Sequence, residues 1–123
     1  MLREALLVGI GGFAGSVSRY LVSGAMATLH APFSLPLGTF TVNAAGSLLI
    51  GLLLALLDRS GWYYLCVVGF CGGFTTFSTF SAEVVQMIRS AHYLQSLLYI
   101  AASVALCAVM VWAGLLVGEK TIS

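Results

Sequence analysis

The sequence has few charged residues. Only 7% of its 123 residues are Asp, Glu, Lys or Arg, whereas a soluble domain carries about 25%. The net charge at neutral pH is +1, which argues against nucleic acid or an acidic surface as the partner. With 60% hydrophobic residues, the composition indicates a membrane protein.

The sequence is also poor in cysteine motifs and targeting signals. Cys66, Cys71 and Cys107 lie in apolar runs without CxxC spacing, which favours small packing residues over a disulfide or metal site. The apolar run after residues 1–4 lacks an A-x-A end and outlasts the core of a signal peptide. We therefore expect it to be retained as a membrane span.

Long apolar stretches dominate what is present. A bilayer core needs about 20 apolar residues per helix. Four stretches qualify and are joined by short connections at 30–36, 58–61 and 89–93. The predicted spans are 5–29, 38–57, 62–88 and 94–118. The sequence thus predicts a single all-α transmembrane domain over residues 1–123, with four helices and no soluble domain.

Glycine pairs predict close contacts between these helices. Glycines four residues apart let helix backbones approach each other in lipid. The pairs are Gly11/Gly15, Gly69/Gly73 and Gly114/Gly118. Together they favour a tightly packed bundle.

Basic residues give a weak topology signal. An even number of spans puts Arg3, Arg59 and Lys120 on one side and Arg89 on the other, a small bias towards cytoplasmic termini. Such a bias permits insertion in both orientations. Because a lone four-helix unit would present polar groups to lipid, we expect at least a dimer.

The segment "GGFTTFSTFS" (72–81) places two glycines and five hydroxyl side chains within the third span. Gly72 and Gly73 weaken the helix, and the hydroxyls can satisfy freed backbone groups. A simple kink, with Phe77 and Phe80 as packing residues, is one interpretation. Alternatively, the positive ring edges of the two phenylalanines contact an anion in a pore, or exposed carbonyls hold a cation.

Two polar stripes accompany this segment. Each has polar residues at four-residue intervals, which lie on one face of a helix. They are Thr39, Asn43 and Ser47 in the second span, and Tyr99, Ser103 and Cys107 in the fourth. Either they join helices or they line a watery path, and their number together with the hydroxyl-rich segment favours the path.

The ionisable residues near the spans leave several roles open. Arg19 either extends to the interface or gathers anions at a pore mouth. Glu83 is either a partner of Arg19 or a vestibule charge. His30 and His92 lie in predicted loops, where we expect them to be solvated.

Three motifs resemble the Fluc/CrcB fluoride ion channels. They are "GGFAGSVSRY" (11–20), "GTFTVNAAGS" (38–47) and "GFCGGFTTFSTFSAEVV" (69–85), and the resemblance runs through all four spans in order. It implies a multi-pass protein of the cell (inner or plasma) membrane, embedded in the lipid bilayer. The expected assembly is an antiparallel, dual-topology homodimer with two pores and a third helix broken at mid-membrane. The expected function is passive fluoride export and hence fluoride resistance.

The same resemblance implies roles for individual residues. Phe77 and Phe80 would contact the fluoride ion, with Asn43 and Thr39 beside them. Hydroxyls along its path would come from Ser78, Thr79, Tyr99 and Ser103. Arg19 would be a vestibule residue, and the backbone carbonyls of Gly72 and Thr75 from both subunits would hold a structural sodium ion. Cys107 stands where the family pattern leads us to expect a serine or threonine, and a thiol is the weaker donor.

Two rival functions fit the residues less well. A proton-coupled multidrug exporter needs a carboxylate in the middle of the first span, but Glu4 lies at its start. A membrane enzyme with a serine nucleophile needs a histidine within hydrogen-bond reach, whereas both histidines are predicted to lie at the membrane surface. We therefore expect a channel and not an enzyme.

Overall fold

The computed structural model describes residues 1–27, 35–58 and 60–122, and the regular structure in these ranges is entirely helical. The elements are α1 (Leu2–Met26), α2 (Leu37–Leu56), α3 (Gly61–Tyr63), a π-helical segment (Tyr64–Cys71), α4 (Gly72–Phe74), α5 (Phe77–Arg89) and α6 (Tyr93–Ile122). The described residues contain four helical runs long and apolar enough to cross a membrane: Leu2–Met26, Leu37–Leu56, Gly61–Arg89 and Tyr93–Ile122. The predicted all-helical, four-span architecture is confirmed.

The bounds of the helices differ from the prediction at several ends. α1 begins at Leu2, and the predicted end of the first span and most of the first loop, including His30, lie outside the described residues. Arg59 of the second connection also lies outside them. α6 continues to Ile122, and the residues between Gly118 and Ile122 include no helix-breaking proline or glycine. Within this last turn, Thr121 Oγ1 donates to the carbonyl of Val117 at 2.9 Å.

The third span contains a π-helical segment that the sequence analysis did not predict. It covers the eight residues Tyr64–Cys71, directly before the short helix α4. A π-helix closes its hydrogen bonds over five residues and is often found at functional sites. Here it widens the helix just before the chain leaves helical geometry.

The predicted break in the third span is confirmed, but its position is corrected. We expected Gly72 and Gly73 to weaken the helix, yet both are helical residues of α4. The chain instead becomes extended at Thr75 (φ −85°, ψ 157°) and Thr76 (φ −148°, ψ 123°), before α5 begins at Phe77. Glycine permits a break, but the hydrogen-bond partners of the threonine backbone decide where it falls.

Glycines set the two closest helix contacts, as the spacing predicted. α1 packs against the π-helical segment, and α2 packs against α6. A Cβ atom on Gly15 would collide with the backbone carbonyl of Phe70, and one on Gly114 would collide with the carbonyl of Leu48. These approaches bring backbone against backbone, so the helices enclose Tyr99, Val42 and Cys71, whose side chains are fully buried.

Candidate functional site

The extended residues of the third span are paired with the side chain of Asn43. Asn43 Nδ2 donates to the carbonyl of Thr76 at 3.1 Å, and the Thr76 N–H donates to Asn43 Oδ1 at 2.8 Å. The amide of α2 thus replaces the helical partners that Thr76 lacks, and an unpaired backbone group at this depth would be costly. Asn43 therefore fixes the position of the break.

Hydroxyl groups complete the hydrogen bonding around the break. Thr75 Oγ1 donates to the carbonyl of Cys71 at 2.9 Å. The N–H of Thr79 donates to Thr76 Oγ1 at 3.2 Å, which makes Thr76 the N-cap of α5. Thr75 therefore follows the end of α4, and Thr76 caps the start of α5.

This pairing releases two carbonyl groups from their usual helical partners. In a continuous helix the N–H of Thr76 would bond to the carbonyl of Gly72, but it bonds to Asn43. Likewise the N–H of Thr79 bonds to Thr76 Oγ1 and not to the carbonyl of Thr75. Carbonyl oxygens suit hard cations, so the break has the donor chemistry that the predicted sodium site requires.

Arg19 reaches the break from α1. Its Nε donates to the carbonyl of Gly73 at 3.0 Å, across 54 residues of sequence. The side chain is half-buried, and its charge lies at the C-terminal end of a helical run, where a cation is favourable. Its expected vestibule role stays a prediction, and the contact with Gly73 is an additional, structural role.

Phe77 and Phe80 lie side by side at the start of α5. Their ring centroids are 5.8 Å apart with 40° between the ring planes, and the ring of Phe80 is 5.0 Å from that of Tyr99. Phe80 is 9% exposed, whereas Phe77 is 78% exposed. The two rings therefore form a pair with one member inside the protein and one on its surface.

A groove of about 270 Å³ runs beside this pair between α2, the break and α6. The side chains and backbone around it carry no formal charge. They come from Asn43, Ser47, Ile50, Thr75, Thr76, Phe77, Phe80, Ser103, Val104 and Cys107. The groove therefore brings the aromatic pair together with two residues of each predicted polar stripe.

Ser103 presents an unused hydroxyl to the groove. The side chain is only 7% exposed, and its Oγ has no hydrogen-bond partner among the residues that the structure describes. A buried hydroxyl without a partner is unfavourable by about 1–3 kcal/mol. The group is suited to donate a hydrogen bond to something that enters the groove.

Glu83 joins the two polar stripes, a role that the sequence left open. Its Oε2 accepts from Thr39 Oγ1 at 2.9 Å, and its Oε1 accepts from the hydroxyl of Tyr99 at 2.8 Å. Thr39 is 5% exposed and Tyr99 is fully buried. Of the two roles considered for Glu83, the pairing with Arg19 is replaced by this cluster, since Arg19 bonds to Gly73.

A second cavity, of about 340 Å³, lies beyond Glu83 at the end of the helices. It is lined by Pro36, Glu83, Gln86, Met87, Ser90 and His92. The contacts thus form a series from the groove through Phe80 and Tyr99 to Glu83 and this outer cavity. His92 is exposed as predicted, but it borders the cavity at the end of the series.

Besides Thr39, Tyr99 and Arg19, three further predicted site residues do not line the groove of a single chain. Ser78 and Thr79 are exposed and follow Phe77 on the surface of α5, and Gly72 is exposed as well. In one chain these residues face outwards. Among the described residues no group of three or more His, Cys, Asp or Glu side chains is arranged to hold a metal ion. The sodium site at the carbonyls of Gly72 and Thr75 stays a prediction.

The fold and the groove together define a class of protein: a multi-pass membrane protein whose third span is opened at mid-length beside an uncharged groove. Comparison with known proteins names the family. The model "CrcB-like protein, Camphor Resistance (CrcB)" matches residues 6–115, and the chain belongs to this family of cell-membrane proteins.

Curated relatives of the chain share one name, "Fluoride-specific ion channel FluC". The relative from Gloeothece citriformis is 48% identical over 100 residues, covering 78% of this chain and 80% of the relative. The one from Leptospira interrogans is 47% identical over 107 residues, covering 83% and 84%. The one from Coxiella burnetii is 44% identical over 123 residues, covering 95% and 98%. Family membership therefore extends over nearly the whole chain.

Proposed function

We propose that the protein is a fluoride-selective ion channel that lets fluoride leave the cell passively. The observation that carries the proposal is the uncharged groove, which is lined by two phenylalanine rings, the unused hydroxyl of Ser103 and the amide of Asn43. The names of relatives across nearly the full length of the chain support the same function. A channel performs no covalent chemistry, in line with the expectation that the chain is not an enzyme.

The groove suits a small and strongly hydrated anion. Such an ion must exchange its water for several modest donors, because a fixed cation in the path would hold it too tightly. Ser103 offers its O–H, and Asn43 has a second Nδ2 hydrogen besides the one bonded to Thr76. The edges of Phe77 and Phe80 add partial positive charge without a strong hydrogen bond.

Glu83 governs the donors at the outer part of the path. The single hydroxyl hydrogens of Thr39 and Tyr99 are both donated to its carboxylate. These hydroxyls can donate a hydrogen bond to fluoride only when they turn away from Glu83. The carboxylate also repels an anion next to it, which weakens binding of the ion at this end of the path.

The proposed assembly is an antiparallel homodimer with two pores. Phe77 is 78% exposed in one chain, and Ser78 and Thr79 are exposed beside it. A second copy packed against this surface would cover the open side of the groove and bring these residues onto the ion path. The small charge bias between the two sides of the chain permits insertion in both orientations.

The dimer also supports the proposed structural sodium ion. The Gly72 and Thr75 carbonyls are released from helical partners in each chain, so two copies would supply four oxygens. Sodium bound there would offset the exposed carbonyl dipoles of both breaks. The ion would act on assembly and stability and would take no part in conduction.

The driving force for export is the membrane potential. Moving one elementary charge through 100 mV is worth about 2.3 kcal/mol, so an inside-negative potential expels a monovalent anion without energy input. The proposal is tested with purified protein in liposomes, with a fluoride electrode to follow efflux and chloride as the control ion. We expect fluoride flux without chloride flux. Folded protein that passes neither ion, or both equally, would refute the proposal.

A further inference from the structure

An apolar cavity lies on a different face of α2 from the groove. It has a volume of about 450 Å³ and is enclosed by α1, α2 and the π-helical segment. Its lining is apolar and includes the side chains of Ile10, Ala14, Leu49, Leu53, Cys66 and Phe70. Nothing in the proposed conduction path uses it.

The cavity exists because α1 packs much more closely on one neighbour than on the other. α1 packs closely on the π-helical segment at Gly11 and Gly15, but it contacts α2 far less. Ile10 and Ala14, which stand at the rim on α1, are exposed. The cavity therefore opens sideways between two membrane spans, in the plane of the bilayer.

The lining excludes polar occupants. Water enters a cavity only where polar partners are present. A polar ligand would lose its hydration there without gaining hydrogen bonds in return. An empty space of this size would forfeit the dispersion contacts of its whole wall. For comparison, an apolar cavity of about 150 Å³ already accommodates benzene.

The surrounding bilayer offers hydrocarbon at the opening. We propose that the cavity holds an acyl chain of a bilayer phospholipid, which inserts between α1 and α2 and packs against Phe70 and Cys66. The occupant is identified by its chemistry: a flexible, unbranched and wholly apolar chain that is present at this depth at high concentration.

The position of Phe70 connects this chain with the break. Phe70 stacks on Phe74 with 5.7 Å between ring centroids and 11° between ring planes. Phe74 is the last helical residue before Thr75. An acyl chain that supports Phe70 from the far side thus supports the end of the helical run that leads into the break.

Photo-crosslinking in a native-like bilayer tests the inference and does not depend on fluoride flux. The protein is reconstituted with a phospholipid that carries a diazirine in one acyl chain, and adducts are assigned to single residues by mass spectrometry. Val68 is the internal reference, because it lies between Cys66 and Phe70 and is 40% exposed. We expect adducts at the half-buried Cys66 and Phe70 to exceed those at Val68.

A cavity-filling variant sharpens the result. Ala14→Phe places a ring in the cavity and should abolish the adducts at Cys66 and Phe70 while leaving those at Val68. Ala105→Phe, at an exposed position of α6, is the matched control and should change neither. If the wild-type adduct yield follows side-chain exposure alone, so that Val68 gives more adduct than Cys66 and Phe70, the inference is overturned. This outcome counts even if Ala14→Phe fails to fold. Adducts joining two protein copies at Cys66 would also overturn it, since a second copy would then fill the cavity.

Discussion

The paired hydrogen bonds between Asn43 and Thr76 provide a direct test of how the break is held. In Asn43→Ala both the N–H and the carbonyl of Thr76 lose their partner, at 2.8 Å and 3.1 Å in the structure. A buried backbone group without a partner is unfavourable by about 1–3 kcal/mol, so two such groups would cost about 2–6 kcal/mol in a dry site. The groove beside Thr76 has room for water, which favours the lower end of this range.

We therefore expect Asn43→Ala to lower the free energy of unfolding by about 2–3 kcal/mol, a large part of the 5–15 kcal/mol typical of a folded domain. Fluoride efflux should fall as well, because Thr76 and the following phenylalanines lose their fixed position. Denaturant unfolding in detergent gives the stability, and electrode-recorded efflux from liposomes gives the activity.

The matched control is Ser47→Ala, one turn further along the same face of α2 and on the same groove. It should change stability much less, since it leaves both bonds to Thr76 in place. If Asn43→Ala unfolds at the wild-type denaturant concentration and conducts like the wild type, Asn43 does not hold the break and the reasoning is wrong.

Three other substitutions probe the ion path. Phe80→Ile should cut fluoride flux and leave the dimer intact in size-exclusion chromatography; unchanged flux would remove Phe80 from the path. Ser103→Ala deletes a buried oxygen without a partner, so thermal stability should stay equal or rise while fluoride flux falls, and a loss of both would indicate a structural hydroxyl. Glu83→Gln removes the charge that accepts hydrogen bonds from Thr39 and Tyr99; fluoride flux should then saturate at a lower concentration, and an unchanged saturation curve would contradict the proposed repulsion.

The coarse architecture could be predicted because it depends on local properties of the sequence. The length of each apolar run fixed the four spans, and glycine spacing marked the close helix contacts. The cluster of hydroxyls in residues 72–81 marked the broken span. Each of these signals lies within one segment, so no knowledge of helix rotation was needed.

The details of the site depend on contacts between distant segments. The role of Glu83 was left open because its partners Thr39 and Tyr99 lie 44 and 16 residues away in the sequence. Their contact depends on the rotation of three helices about their axes. One signal was present: Glu83 follows Phe80 by three residues and so shares its helix face. The break was placed at the glycines because backbone freedom is visible in the sequence, whereas the side chain that competes for the Thr76 backbone is on another helix.

The Asn43–Thr76 pairing has a consequence for biogenesis. Both groups belong to the same polypeptide, so the opened backbone can be satisfied as soon as the second and third spans meet, before any encounter between two copies. In the proposed dimer, each newly inserted subunit would therefore reach its partner with this part of its backbone already hydrogen-bonded. Assembly should accordingly tolerate a low density of subunits in the membrane, since a monomer would stay folded until it meets a second copy.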